Sequence, residues 1–246
     1  MVSKRRDEMT GSAVPPNPIL VALDVGTAEE AVRLAKALAP YAGGFKVGLE
    51  LLMGPGPAVV AALAALGKPV FADAKLHDIP TTVARAARQL GRLGARWVTV
   101  HAAGGSRMLR AAVMGLEEGA GGRPAGVLAV TVLTSMSADD LAEGGVSGTP
   151  GRQTARLAKL AGSAGCEGVV CSPEEIGVIA QVAPDLLKVT PGIRPPGTST
   201  DDQRRIASPA EAIKRGADYL VIGRPILQAP DPGAAIRSFL LEATAD

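Results

Sequence analysis

Aromatic side chains are scarce in this chain: of 246 residues only Phe45, Phe71, Phe239, Tyr41, Tyr219 and Trp97 carry a carbon-rich ring, and they are scattered. No stacking platform for single-stranded nucleic acid can be built from them. Charge of one sign is missing too. Lys and Arg number 26 against 24 Asp and Glu, a net of +2, and the Lys4-Arg5-Arg6 triplet is followed at once by Asp7 and Glu8. Nucleic acid and anionic membrane surfaces are therefore disfavoured as partners. Cysteine is limited to Cys166 and Cys171, five apart in an apolar run. Extended backbone would hold their Cα atoms roughly 16 Å apart, too far for a disulfide. With only His77 and His101 besides, no tetrahedral zinc set is expected, and a reducing, cytoplasmic setting is the natural one. No apolar run approaches the ~18 residues that span a bilayer. Residues 1–18 are polar, with Pro15, Pro16 and Pro18, and lack the apolar stretch of a signal peptide. They are expected to form a flexible tail before one domain over 19–246.

Hydrophobic residues, by contrast, make up 47% of the chain, enough to bury a large core. The 30 glycines and 19 prolines are more than an average domain carries, which fits many turns between short elements. Short, continuously apolar runs alternate with longer amphipathic stretches. Strands are predicted at 19–24, 44–47, 70–75, 97–101, 127–133, 168–171, 187–190 and 219–223. Helices are predicted near 27–39, 57–66, 81–93, 106–117, 152–164, 173–182, 209–215 and 233–243. Near-continuous apolar strands imply a parallel sheet covered on both faces, and eight βα units of this length close most economically into a (β/α)8 barrel. An open doubly wound sheet competes. Against it, no Gly-x-Gly-x-x-Gly opens the first helix and no Gly-x-x-x-x-Gly-Lys-Ser/Thr occurs. Two long connections, 134–151 and 192–208, follow strands five and seven, on the face where barrels place their active sites.

Charged residues stand where these strands end. Asp24 closes Ile-Leu-Val-Ala-Leu-Asp, Lys46 lies in Gly-Phe-Lys-Val-Gly, and Asp73, Lys75 and Asp78 lie in Phe-Ala-Asp-Ala-Lys-Leu-His-Asp-Ile-Pro; Arg224 follows Leu-Val-Ile-Gly. Thr27 and Glu30 are spaced as a capping box for the first helix, which leaves Asp24 without a structural role. Asp73 and Lys75, two apart on a strand, share a face. Beside Pro80, Asp78 also fits a plain helix-start acid. Lys46, Asp73, Lys75 and Asp78 could alternate as a chain of carboxylates and ammoniums, holding a lysine aimed into a pocket as a proton donor. Gly223-Arg224, with the 192–208 connection, occupies the place where such barrels often bind phosphate, and a guanidinium fork suits a dianion. A hydrogen-bonded structural role accounts for His101 as well as a general base would, and His77 has no supporting context.

The run from Asp73 to Thr82, Asp-Ala-Lys-Leu-His-Asp-Ile-Pro-Thr-Thr, resembles the signature of the orotidine 5′-phosphate decarboxylase family. So do Leu-Asp24, Phe-Lys46-Val-Gly, Val-Leu-Thr134-Ser, Pro-Gly-Ile-Arg194 with Gln203, and Ile-Gly223-Arg224, in the same order along the chain. The resemblance implies a metal- and cofactor-free conversion of orotidine 5′-phosphate to UMP and carbon dioxide in pyrimidine biosynthesis, by a homodimer. It further implies Asp73 near the scissile carboxylate, Lys75 as proton donor, and Lys46 and Asp24 orienting lysine and ribose. Asp78 would reach the neighbouring subunit's site. Thr82 would belong to the substrate-binding set and Thr134 would meet the base; Arg194, Gln203, Gly223 and Arg224 would hold the phosphate or the loop closing over it. A sister branch, magnesium-dependent keto-gulonate-phosphate decarboxylases and hexulose-phosphate synthases, shares Asp-x-Lys-x-x-Asp. That branch implies a metal-site acid after strand two, where Lys46 stands.

Overall fold

The computed structural model describes residues 15, 17–194 and 205–244. Eight short, mostly apolar parallel strands pair in sequence order, and the last closes on the first: β1 (Ile19–Ala22), β2 (Gly44–Val47), β3 (Val70–Leu76), β4 (Trp97–His101), β5 (Gly126–Val130), β6 (Gly168–Val170), β7 (Leu187–Thr190) and β8 (Tyr219–Ile222). This is the (β/α)8 barrel, not the open sheet. Side chains alternate between its interior and the helical ring. Leu20, Ala22, Phe71, Trp97, Leu128, Val189 and Val221 fill the interior, while Ile19, Val21, Phe45, Val98 and Val127 join the larger core under the helices. Toward the N-terminal ends of the strands, Trp97 meets Tyr219 edge-on at 5.0 Å and Arg96 lies 4.5 Å above the Trp97 ring. Arg96 also grips Glu167 with both terminal guanidinium nitrogens. The barrel is thus plugged below, and its charged inward positions lie above.

Several helices start where residue types at their first turn predict. Thr27 caps α1 (Ala28–Leu38) by accepting the Glu30 N–H at 3.2 Å, and Pro80 and Pro150 occupy the first turns of α4 (Pro80–Arg92) and α7 (Pro150–Ser163). The expected Thr27–Glu30 box is half formed, since the Glu30 carboxylate lies toward Arg33 at 3.9 Å. α4 and α5 (Gly105–Ala120) pack closely because glycine lines the seam. A Cβ at Gly115 would run into the Ala84 carbonyl, and one at Gly119 into that of Arg88.

Three short helices lie outside the predicted set: α2 (Leu49–Met53), α6 (Ala138–Glu143) and α10 (Arg224–Leu227), beside the expected α3 (Ala58–Ala64), α8 (Ile176–Val182), α9 (Pro209–Lys214) and α11 (Pro232–Thr244). α6 lies inside a connection expected to be loop, and a Ser137–Asp140 capping box nucleates it. The fifth strand ends at Val130 rather than 133. There the Thr131 hydroxyl turns back onto the Val170 carbonyl at 3.0 Å, sending Val132 and Leu133 over the barrel mouth. Cys166 precedes β6 instead of lying in it; both thiols are free and buried. No described helix is long and apolar enough to cross a membrane.

Candidate active site

At the C-terminal end of the barrel lies a cavity of about 350 Å³. Its lining divides by strand. Asp24, Lys46, Asp73 and Lys75 come from the ends of β1 to β3; Val130, Val132, Leu133, Thr134, Ser135 and Val170 come from β5 and β6; Pro191, Gly192, Arg194, Gly223 and Arg224 come from β7 and β8. Alternation along β3 raises Phe71, Asp73 and Lys75 in steps up one inner face.

The four charged groups of β1 to β3 form one continuous array. Lys46 Nζ donates to Asp24 Oδ1 at 3.1 Å and stands 3.8 Å from Asp73 Oδ2; Lys75 Nζ donates to the same Asp73 oxygen at 2.8 Å. The Lys46 side chain is only 12% exposed, held within the site and not solvated. Two glycines leave room for the array. A Cβ at Gly48 would come 3.1 Å from Lys46 Nζ, and one at Gly223 would come 3.1 Å from Asp24 Oδ2. The structural role that the sequence does not reveal for Asp24 is to hold Lys46.

One expected member is absent from this array. The Asp78 carboxylate is exposed and accepts the Ile79 N–H at 2.6 Å, outside the cavity. The alternating chain inside one subunit is Asp24–Lys46–Asp73–Lys75, because β3 ends at Leu76 and the chain turns away into α4 before Asp78 can face inward. Thr82, in the first turn of α4, is likewise exposed and outside the cavity. Gln203 lies outside the described residues.

Past the end of β7 Arg194 is buried, with Nη1 donating to the Ile193 carbonyl at 2.9 Å, and Arg224 follows Gly223 at the end of β8, the strand that pairs with β1. Ile193 bridges to Ala207, so the ends of the 192–208 connection are pinned together beside the cavity. Sequence reasoning missed Arg205 and Glu175, which form a buried ion pair. The same guanidinium donates to the Leu133 carbonyl at 2.9 Å and so ties the lip carrying Thr134 to the end of that connection. Thr99, a lone hydroxyl in an otherwise apolar part of β4, was missed as well, although a buried hydroxyl has to find partners. His101 sits 5.6 Å from His77, ring to ring; burial, then the neighbouring His77 and Lys75 charges, lowers its pKa against a smaller opposing effect of Asp73.

A wider, open groove of about 1340 Å³ runs along α7, lined by Arg152, Arg156 and Lys159 among others. None of its described lining residues is a carboxylate that could be set against these cations. Acid and base meet instead in the barrel cavity, which is where chemistry is expected.

Residues 17–239 match the orotidine 5′-phosphate decarboxylase / HUMPS family. The chain is 52% identical over 225 residues to an orotidine 5′-phosphate decarboxylase of Anaeromyxobacter sp. (strain K), covering 91% of this chain and 97% of that one. It is 52% identical over 229 residues to the protein of that name in Moorella thermoacetica, covering 91% of each. Among solved structures, an orotidine 5′-phosphate decarboxylase from Lactobacillus acidophilus superposes with a TM-score of 0.80 at 39% identity, covering 93% of this chain and all of that one. Its counterpart from Pyrococcus horikoshii OT3 gives 0.72 at 30% identity over 93% of this chain. By sequence over most of its length, and by a barrel whose mouth carries the charged array, the chain belongs to the orotidine 5′-phosphate decarboxylase / HUMPS family.

Proposed function

We propose that this protein is a carboxy-lyase that converts orotidine 5′-phosphate to UMP and carbon dioxide in pyrimidine biosynthesis. The observation that carries the reading is the Asp24–Lys46–Asp73–Lys75 array in a cavity that two arginines, Arg194 and Arg224, also line. Breaking the carbon–carbon bond leaves an electron pair on a ring carbon, and Lys75 Nζ delivers the proton that quenches it. Fixed charges that need not reorganise are the economical way to favour such a transition state. Asp73 faces the departing carboxylate, Lys46 and Asp24 orient Lys75 and the ribose, Thr134 meets the base, and Arg194, Gly223 and Arg224, with Gln203, take the phosphate.

The reaction uses no metal or cofactor. In the magnesium-dependent branch an acid would stand after the second strand; here the Lys46 ammonium fills the space between Asp24 and Asp73 and would repel a divalent cation. Purified protein given orotidine 5′-phosphate with excess EDTA should bleach the orotate ultraviolet band. No bleaching, or bleaching that requires added Mg²⁺, refutes the reading. Two free thiols fit a cytoplasmic enzyme.

We further infer a homodimer in which Asp78 and Thr82 serve the partner's site. Both are exposed and outside their own cavity, and Ile79 between them is 67% exposed, an apolar contact awaiting a cover. Mixing Lys75→Ala with Asp78→Asn subunits tests this. Random exchange makes half the dimers mixed, each with one intact site in two, so roughly a quarter of wild-type activity should return from two nearly dead parents. Verified mixed dimers with no recovered activity would return Asp78 to a helix-start role.

A further inference from the structure

β3 and β4 run in register at Phe71–Trp97 and Ala72–Val98 and meet again at Leu76–Val100, so β3 spends four residues where β4 spends two. The excess forms a bulge over residues 73–75. It ends at Lys75, whose φ of 46° is the one positive value among the described non-glycine residues. Left-handed backbone costs a residue with a side chain roughly 1–2 kcal/mol, and a bulge leaves ladder groups unpaired. Something must hold this conformation in place. Opposite the bulge, one step above the interior-filling Trp97 and one below His101, sits Thr99, fully buried. Its hydroxyl accepts the Lys75 backbone N–H at 2.9 Å, where a regular ladder would use a carbonyl. The same hydroxyl donates to Asp73 Oδ1 at 2.9 Å. With Oδ1 anchored there, Asp73 Oδ2 is the oxygen that faces both lysines. Thr99 does not line the cavity.

We propose that Thr99 is the positioning residue of the charge array: one hydroxyl fixes the Asp73 carboxylate and the strained Lys75 backbone together, aiming Lys75 Nζ into the cavity. This rests on the decarboxylase reading. Both hydrogen-bond directions are determined, because a backbone N–H can only donate to the hydroxyl, whose own proton is then left for the carboxylate. Valine keeps the shape and the stiff β-branched side chain but offers neither bond.

The test is steady-state decarboxylation of orotidine 5′-phosphate by Thr99→Val and Thr99→Ser beside wild type, with thermal midpoints for all three. Thr99→Val should lose about 10- to 100-fold in kcat, the scale of an ångström-sized misplacement of a reacting group. Its KM should stay within about threefold, because neither hydrogen bond of Thr99 goes to a residue assigned to the phosphate. Thr99→Ser should recover kcat to within about threefold, since it restores both bonds. Wild-type kcat in Thr99→Val overturns the proposal. So does Thr99→Ser as slow as Thr99→Val, which would make volume and not the hydroxyl responsible, or a loss confined to KM. Should Thr99→Val not fold, Thr99→Cys decides: a thiol of similar size hydrogen-bonds poorly, so a folded Thr99→Cys with wild-type kcat overturns the proposal and a slowed one supports it. Wild-type protein inert toward the substrate would sink the decarboxylase reading separately. Crystal structures of the variants then still judge Thr99, since an unmoved Asp73–Lys75 pair without the hydroxyl rules out positioning.

Discussion

Replacing Lys75 by alanine and by glycine separates what this residue costs the fold from what it does for chemistry. Both substitutions remove the ammonium and its 2.8 Å contact with Asp73, while Asp73 keeps Lys46 at 3.8 Å and the Thr99 hydroxyl. The lost ion pair is partly exposed and is worth on the order of 1 kcal/mol. The two variants differ in backbone alone. At a φ of 46° alanine retains the left-handed cost, about 1–2 kcal/mol, and glycine does not. Against this, glycine loses about 0.5–1 kcal/mol more conformational freedom on folding. Lys75→Gly should therefore be more stable than Lys75→Ala by roughly 0.5–1 kcal/mol, or about 2 °C in midpoint for a chain of this size, and close to wild type. Both should lose about 10²–10⁴-fold in kcat if Lys75 is the general acid. Differential scanning calorimetry at one scan rate reads the first quantity, and bleaching of the orotate band the second. Lys75→Ala equal to or more stable than Lys75→Gly would show that residue 75 stores no strain, and wild-type kcat in either would remove the proton donor.

Arg224→Ala should lower kcat/KM, and phosphite dianion should partly rescue turnover of a substrate lacking its phosphate, because binding energy from that remote group helps assemble the reacting end; an unchanged kcat/KM would take the phosphate site away from β8. Burial pushes the thiols of Cys166 and Cys171 up to about 12, so neither should react with a disulfide reagent at pH 8 until the protein is unfolded. The same shifts fix a sign: above about pH 9 the unfolded thiols release protons that the folded ones keep, so stability falls as pH rises until the folded thiols ionise as well. A Cys166→Ala/Cys171→Ala double variant should lose less stability over that alkaline range in urea titrations, and an identical pH slope would refute the assignment.

The barrel was legible because the strands are short and mostly apolar and several helices open on a cap or a first-turn proline that can be read from residue types, Thr27, Pro80, Thr149 and Ser208 among them. Elements of four or five residues, such as α2 and α10, show no period over their length, so Leu49–Met53 and Arg224–Leu227 could not be seen. α6 is readable in principle from Ser137 and Asp140, but six residues inside a long connection give the periodicity little to work on. Site residues at strand ends were legible for a geometric reason: in a parallel barrel all those ends converge on one face. Asp24, Lys46, Asp73 and Lys75 did converge. Asp78 lies three residues past Lys75, and those three residues spend the strand's last pair and the turn into α4; no periodicity reveals which subunit it faces. The β3 bulge is equally silent in the sequence, and with it the partners of Thr99. A polar residue flanked by valines on both sides announces a buried hydroxyl, but not what it binds.

Two lysines stand in the array, and the geometry distinguishes their work under the decarboxylase reading. Lys46 is wedged between two carboxylates, at 3.1 and 3.8 Å, with 12% of its side chain exposed. Lys75 has one carboxylate, at 2.8 Å, and more than twice that exposure at the cavity wall. A proton donor must be able to approach the reacting carbon and must not be held back on every side; an electrostatic prop must be immobile. Lys75 meets the first requirement and Lys46 the second. Asp73, shared by both, links the two roles, and it can do so only while its second oxygen is occupied elsewhere. Otherwise the carboxylate could turn to offer both oxygens to Lys75 and leave Lys46 to Asp24, which is largely exposed and a weaker anchor. The hydroxyl of Thr99 on Oδ1 prevents that rotation. The array therefore depends on a neutral side chain outside the cavity lining as much as on the four charges that line it.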